Sequence, residues 1–260
     1  MEAALAAIFA GSDKMALVGI AVFARVGAAI FLVPGLAERA VPMRVRLFAA
    51  LGITAVLWPM VVPLAEQTPP TPIALFLLIL AEASTGLIIG FAFRLLIFAL
   101  QTAGTVIAQH ISIAQMFGAG VAPEPEPTIS TLLSIGGITL MMMAGLHVQL
   151  VVVLVGLYEV FPFGSFALSA DVSEWAIARV AETFALGVTL AAPFVAIGFA
   201  YNLALGALNR AMPQLLVALV GVPFLIWIGL VTLYLVLPAI FGRWDEAMRN
   251  VFLDPLGGLG

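Results

Sequence analysis

The fold of this chain is decided by residues 73–100, which read IALFLLILAEASTGLIIGFAFRLLIFAL. Only Glu82 and Arg94 carry a charge in this stretch, and it contains no proline. An α-helix needs about 20 mostly apolar residues to cross the hydrocarbon core of a membrane. The stretch therefore predicts a membrane-spanning helix.

Apolar segments of similar length lie on both sides of this stretch and predict the class of the fold. We expect an all-α, polytopic membrane protein with about six long apolar helices, kinked at Pro193 and Pro223. The loops are too short and too apolar to form a soluble domain, so residues 1–260 form a single integral membrane domain. The five other predicted segments are residues 15–36, 47–64, 131–158, about 183–208 and 215–241.

The composition excludes several other classes of protein. Apolar residues make up 63% of the chain and charged residues only 9%, against about 25% in an average soluble domain. Such a chain has too few charged residues for the surface of a soluble globular protein, and it is too apolar for intrinsic disorder. The net charge of −4 gives no basic footprint for nucleic acid. Without cysteine, the chain has neither disulfides nor thiolate metal ligands.

The sequence also lacks the motifs of an enzyme. It has no phosphate-binding loop and no Gly-x-Ser-x-Gly nucleophile motif. His110 and His147 have no partner at the spacing that metal ligands use, so we interpret both as polar residues on helix faces. We therefore expect no catalytic residue, no cofactor-binding residue, no cofactor and no metal.

The charges in the loops predict how the chain is oriented. Residues 37–46 contain Arg39, Arg44 and Arg46, the densest basic cluster of the chain, and basic loops face the cytoplasm. Alternating spans then place Glu66 and the acidic residues 159–174 outside, with the C-terminus outside as well.

A polar stripe follows the third apolar segment. A helix running on from residue 73 to 117 would be about 67 Å long, against about 30 Å of hydrocarbon. Either it breaks, for example near Gly104, or part of it leaves the bilayer. Along it, one face carries four uncharged polar side chains, which suit either a wet internal face or an ordinary solvated face. These residues are Gln101, Thr105, Gln109 and Ser112.

The next stretch, residues 117–127, reads FGAGVAPEPEP and cannot continue a helix. Because lipid does not tolerate irregular backbone, this stretch must lie in water, at the interface or in a cavity lined by protein. A plain surface loop is the alternative to a functional segment.

Three charges lie inside apolar segments, where each costs about 2.5–3.5 kcal/mol at the bilayer centre. Glu82 could pair with Arg25 if their helices touch, whereas Arg94 lies on another face of the helix that carries Glu82. We expect Arg25 and Glu82 to fix helix packing or to bind a neighbouring subunit, and a proton or ion relay is the alternative. Gly86 and Gly90 form a Gly-x-x-x-Gly pair that permits close approach of a second helix.

Several short motifs, in order along nearly the whole chain, resemble the FliR/SctT family of type III secretion export-gate subunits. They are FARVG at 23–27, PGL at 34–36, VPMRVR at 41–46, residues 109–118, MPQ at 212–214 and VGVP at 220–223. The chain departs from the family at the PEPEP run of residues 123–127, where the family has a Val-Asp-Pro-like stretch.

The resemblance implies a structural subunit of a helical export-gate assembly around a protein-conducting channel for flagellar assembly. It implies a multi-pass protein of the bacterial inner membrane, in the flagellar basal body. The implied partners are FliP-like and FliQ-like membrane subunits, FlhB-like and FlhA-like components, exported proteins and the lipid bilayer. Residues 1–174 would form a FliP-like part, and residues 175–260 a FliQ-like helical hairpin with a C-terminal tail.

The resemblance also implies roles for the residues named above. The irregular stretch would be the pore plug, the polar stripe a wet face toward the pore or an interface, and Arg25 an inter-helix anchor. Because they lie inside apolar segments, Glu82 and Arg94 are candidate buried charge anchors together with Arg25. The plug residues would be Phe117, Gly118, Ala119, Gly120, Val121, Ala122, Pro123, Glu124 and Pro125. The alternative to this function is a polytopic secondary transporter of a small solute, although we find no internal repeat.

Overall fold

The computed structural model describes residues 2–65, 71–111, 128–167, 169–211 and 217–257, and every regular element in these ranges is helical. This confirms the predicted all-α fold. A 3-10 turn, Val62–Leu64, follows the second helix. The helices are α1 (Glu2–Leu32), α2 (Met43–Val61), α3 (Pro72–Ile111), α4 (Thr128–Met143), α5 (Leu146–Val160), α6 (Ala170–Ala211) and α7 (Val217–Leu253).

Most of these helices can cross a membrane. Five of them contain a span that is long and apolar enough, and α4 with α5 adds a sixth if that bent pair counts as one span. The chain is therefore a polytopic membrane protein, as its sequence predicts.

The first residues of α3 and α6 are fixed by side-chain caps. Thr71 Oγ1 accepts a hydrogen bond from the Ala74 N–H, and Ser169 Oγ accepts one from the Val172 N–H, each at 3.2 Å. A hydroxyl at this position satisfies a backbone donor that the first helical turn leaves free. The cap at Ser169 starts α6 well before the predicted residue 183, because hydropathy detects the apolar part of a helix and misses its polar first turns.

The third helix does not break near Gly104. It is an uninterrupted α-helix of 40 residues, about 60 Å long at 1.5 Å per residue. Gly104 serves close packing instead, because a Cβ there would overlap the backbone of Ser130 on α4. Since about 30 Å of helix suffices to cross the hydrocarbon core, α3 is about twice as long as one crossing requires.

The predicted single helix over residues 131–158 is wrong. The chain forms two helices there, α4 and α5, which are bent by 70° relative to each other. Gly145 stands at the bend with a φ of +83°, a left-handed conformation that ends the helical path of α4. Apolar periodicity cannot detect such a bend, since both helices are equally apolar.

By packing, the chain divides into two compact units, and α3 contributes to both of them. The first unit comprises Met1–Arg94, Met141–Arg179 and Asn250–Gly260, and the second comprises Leu95–Leu140 and Val180–Arg249. In the second unit the fully buried Trp244 donates its indole N–H to the Leu96 carbonyl at 2.8 Å. In the first unit α1 and α3 approach so closely that their backbones touch, as described next.

Candidate functional site

A buried ion pair joins α1 to α3 in the first unit. Arg25 Nε lies 2.7 Å from Glu82 Oε2, and Arg25 Nη2 lies 3.2 Å from Glu82 Oε1. Both side chains have 0% exposure. The two helices thus bring together the two charges that the sequence singles out in separate apolar segments.

Two glycines of α3 make this approach possible. A Cβ on Gly86 would overlap the carbonyl oxygen of Arg25, and a Cβ on Gly90 would stand 2.6 Å from the carbonyl oxygen of Ala29. Both glycines face α1 one helical turn apart. The close approach predicted from the Gly-x-x-x-Gly pair is therefore confirmed.

Glu82 has two further donors, both from the end of α5 and the segment after it. The Tyr158 hydroxyl donates to Oε2 at 3.2 Å, and the Gly164 N–H donates to Oε1 at 2.8 Å. The carboxylate therefore accepts four hydrogen bonds, two on each oxygen, which is about its full capacity.

Arg25 is surrounded from three sides. Its guanidinium carbon lies 3.7 Å from the centre of the Tyr158 ring, and its Nη2 also donates to the Phe161 carbonyl at 3.3 Å. Such stacking of a cation on an aromatic face strengthens when water is excluded. Among the described residues Nη1 finds no hydrogen-bond partner, although it is buried.

The segment after α5 is held against α3 by the same cluster. Gly164 has a φ of +79°, a conformation that favours glycine, and its N–H donates to Glu82. Three residues later the Ala167 N–H donates to Ser84 Oγ at 3.3 Å. The cluster thus connects α1, α3, α5 and residues 161–167 of one packing unit.

The chemistry of this cluster suits a fixed charge pair. A proton relay needs an acceptor with a free lone pair and a route to water, whereas the Glu82 oxygens are both doubly occupied and fully buried. Removing one partner of such a pair is costly, because the other charge stays buried.

Arg94 belongs to a different pair in the first unit. Its Nη1 lies 2.6 Å from Oε1 of Glu38, and the two side chains are 21% and 31% exposed. Arg46, in the first turn of α2, donates to the backbone carbonyl of Glu38. Glu82 and Arg94 thus form ion pairs with different residues, Arg25 and Glu38, in agreement with their different faces of α3.

The polar stripe on the second half of α3 is described in part. Gln101 and Thr105 are half-buried, Gln109 is exposed, and Ser112 lies outside the described residues. The Thr105 hydroxyl donates to the Gln101 carbonyl at 2.9 Å, and Ser130 Oγ donates to the same carbonyl at 3.2 Å. The buried Ile107 and Ile111 lie on the opposite face. The predicted plug, residues 117–125, also lies outside the described residues.

Sequence reasoning missed Tyr158, Gly164 and Glu38. Glu38 was visible as the one acidic residue in the basic loop 37–46. Tyr158 and Gly164 carry no local signal, because they reach Glu82 across 76 and 82 positions of the chain. In the described part of the chain, no group of three or more His, Cys, Asp or Glu side chains could hold a metal ion.

Comparisons with known proteins match nearly the whole chain. The family model of bacterial export proteins, family 1, matches residues 16–251. A flagellar biosynthetic protein FliR from Caulobacter vibrioides is 34% identical over 231 residues, covering 88% of this chain and 92% of its own. Proteins of the same name from Escherichia coli and Bacillus subtilis are each 28% identical, covering 88% and 89% of this chain and 87% and 88% of their own. The chain therefore belongs to the bacterial export proteins, family 1.

Proposed function

We propose that the chain is a structural subunit of the flagellar type III protein export gate and forms part of its protein-conducting channel. The observation that carries this proposal is the family match together with relatives named flagellar biosynthetic protein FliR, which align over most of both chains. In this role the chain performs no catalysis and needs no cofactor, and other components supply the energy.

The length of α3 supports a role in an assembly that projects from the membrane. A helix of 40 residues is about twice as long as a single crossing requires. The part outside the hydrocarbon needs protein neighbours if its apolar side chains are to be shielded from water.

The outer faces of α6 and α7 support protein neighbours as well. Large apolar side chains on them are exposed, including Phe199 at 64%, Trp227 at 63% and Tyr234 at 80%. Lipid can cover such side chains within the bilayer, and helices of FliP-like and FliQ-like subunits would cover them in a gate. FlhB-like and FlhA-like components would join the same assembly in the bacterial inner membrane, at the flagellar basal body.

Within this proposal the candidate residues take separate roles. Arg25 and Glu82 hold α1, α3 and α5 together, and Arg94 anchors the loop between α1 and α2 through Glu38. Gln101, Thr105, Gln109 and Ser112 form a wet face toward the pore or a neighbour. Residues 117–127 plug the closed pore, residues 1–174 correspond to the FliP-like part and residues 175–260 to the FliQ-like hairpin and tail.

Affinity purification from the native membrane in mild detergent tests the proposal. We expect other small hydrophobic membrane proteins to co-purify with the tagged chain in fixed stoichiometry. The comparison variant is Arg25→Gln. We expect it to pack less stably and therefore to retain fewer of the co-purifying proteins. A chain that purifies alone or as a homo-oligomer, and that moves a small solute in liposomes, would be a secondary transporter and would overturn the proposal.

A further inference from the structure

The loop between α1 and α2 and the first turn of α2 carry three arginines, Arg39, Arg44 and Arg46, that pair with no carboxylate among the described residues. Arg39 and Arg44 are both exposed. In the part of the chain that the structure describes, neither forms an ion pair with a carboxylate. The first turn of α2 contains no acidic residue either. Two positive charges therefore face outward at the end of a membrane-spanning helix.

The acidic residue nearest in sequence is already engaged. The Glu38 carboxylate binds Arg94 at 2.6 Å, and the Glu38 carbonyl accepts a hydrogen bond from Arg46. Glu38 thus balances Arg94. No carboxylate of the described residues compensates the exposed Arg39 and Arg44, or the half-buried Arg46 on the Glu38 carbonyl. Guanidinium groups without a paired carboxylate attract anions, and the N–H donors of each planar guanidinium can bind two phosphate oxygens at once.

Below Arg44, the same helical face is apolar and exposed. Phe48 and Leu51 follow Arg44 at i+4 and i+7 and are 72% and 47% exposed. These residues lie in an apolar span, Met43–Leu64, of which only 22% is buried within the protein. The surface thus has a cationic end next to an apolar face that lipid acyl chains can contact.

We propose that Arg39, Arg44 and the exposed face of Phe48 and Leu51 bind one class of ligand, an anionic phospholipid. The headgroup phosphate contacts the two guanidinium groups, and the acyl chains lie along Phe48 and Leu51. The order of charge and apolar surface along α2 matches the order of phosphate and acyl chain in a lipid. This inference goes beyond the export role and rests only on α2 spanning the membrane.

Lipid retention by the full chain tests the site. Wild type and an R39Q/R44Q variant are reconstituted in nanodiscs of phosphatidylcholine with phosphatidylglycerol, and retained lipids are counted by native mass spectrometry. We expect the variant to hold phosphatidylglycerol about fivefold more weakly for each arginine removed, with phosphatidylcholine unchanged. An R39K/R44K variant keeps the charge, loses the planar fork and should lie between the two.

The matched control is R243Q/R249Q, which removes the same charge from α7. Both of these arginines are exposed, but each is paired, Arg243 with Glu246 and Arg249 with Asp245. We expect the control to retain phosphatidylglycerol as wild type does. An equal loss in both variants would mean a nonspecific charge effect and would overturn the site.

Two further arms distinguish lipid from other ligands. Glycerol 3-phosphate should compete poorly, because it lacks the acyl chains, and Phe48→Ser should weaken lipid retention without changing the effect of glycerol 3-phosphate. Equal competition by glycerol 3-phosphate would identify a site for free phosphate and overturn the proposal. Unchanged lipid retention in R39Q/R44Q, with loss of a co-purifying protein, would assign the surface to that protein instead.

Discussion

Arg25 of α1 and Glu82 of α3 form a fully buried ion pair in which Nε and Oε2 are 2.7 Å apart. Two charges buried in apolar segments are tolerated when each compensates the other and hydrogen bonds occupy most of the remaining donors and acceptors. Glu82 meets this condition through Tyr158 and Gly164, which fill its remaining acceptor positions. The pair therefore depends on three helices being in place together.

Breaking this pair should destabilise the protein strongly, and removing both charges should restore much of the loss. Arg25→Gln leaves Glu82 buried without a cation, so we expect a loss of about 3–5 kcal/mol in the free energy of unfolding. When Arg25→Gln is combined with Glu82→Gln, the side-chain amide carbonyl introduced on α3 can still accept from the Gly164 N–H, and no charge is buried. Unfolding in mild detergent measures both single variants and the double variant, and assembly with co-purifying proteins is the second readout. Strictly additive losses in the double variant would refute a direct pair, and restored stability with lost transport would favour a relay.

A single methyl group at Gly86 should separate α1 from α3. In Gly86→Ala the new Cβ overlaps the Arg25 carbonyl oxygen, so the helices must move apart at a cost of about 1–3 kcal/mol. Gly27→Ala on α1 is the matched control, because nothing lies within 4 Å of the added Cβ. The control should be neutral or more stable, since alanine is the better helix former. Thermal unfolding of both variants in the same detergent measures the difference. Equal melting temperatures would contradict the close approach of α1 and α3.

The bend between α4 and α5 should respond to backbone strain alone. Gly145 has a φ of +83° and open space around its Cβ position, so Gly145→Ala tests the left-handed conformation without a clash. We expect a loss of about 1–2 kcal/mol in stability. Gly156→Ala on α5 also has open space and has no positive φ, so it should cause no loss. A Gly145→Ala variant as stable as wild type would show that the two helices are not bent there.

The sequence predicts the parts of this fold that depend on local composition. Apolar length alone locates the apolar core of most spanning helices, and the cost of a buried charge makes Glu82 the natural partner of Arg25. The bend at Gly145 could not be predicted, because a glycine between two apolar helices also fits within one helix. The contacts of Tyr158 and Gly164 with Glu82 arise from packing between distant segments, which no local pattern encodes. The early start of α6 was readable from Ser169, a residue suited to an N-cap.

The second charge pair should contribute far less than the first. Glu38 and Arg94 are both partly exposed, and ion pairs in contact with solvent typically contribute about 0–1 kcal/mol. Glu38→Gln should therefore change the free energy of unfolding by less than about 1 kcal/mol, in the assay that shows a large loss for Arg25→Gln. Added salt should reduce even this small effect. A loss as large as that of Arg25→Gln would mean that Glu38 holds the loop between α1 and α2 in place.

Shortening residues 118–127 tests the proposed plug. If this stretch closes the pore, its deletion should let small ions leak through the assembled gate, because no other segment of this chain is proposed to block the passage.

The matched control replaces the same residues by an equal number of glycine and serine residues, so that the connection between α3 and α4 keeps its length. Conductance is measured in membranes that contain the complete complex, with complex abundance checked in each variant so that failed assembly is not mistaken for a closed pore. The deletion should raise the conductance more than the length-matched control does. Unchanged conductance in a fully assembled deletion variant would remove the basis for a plug in this stretch.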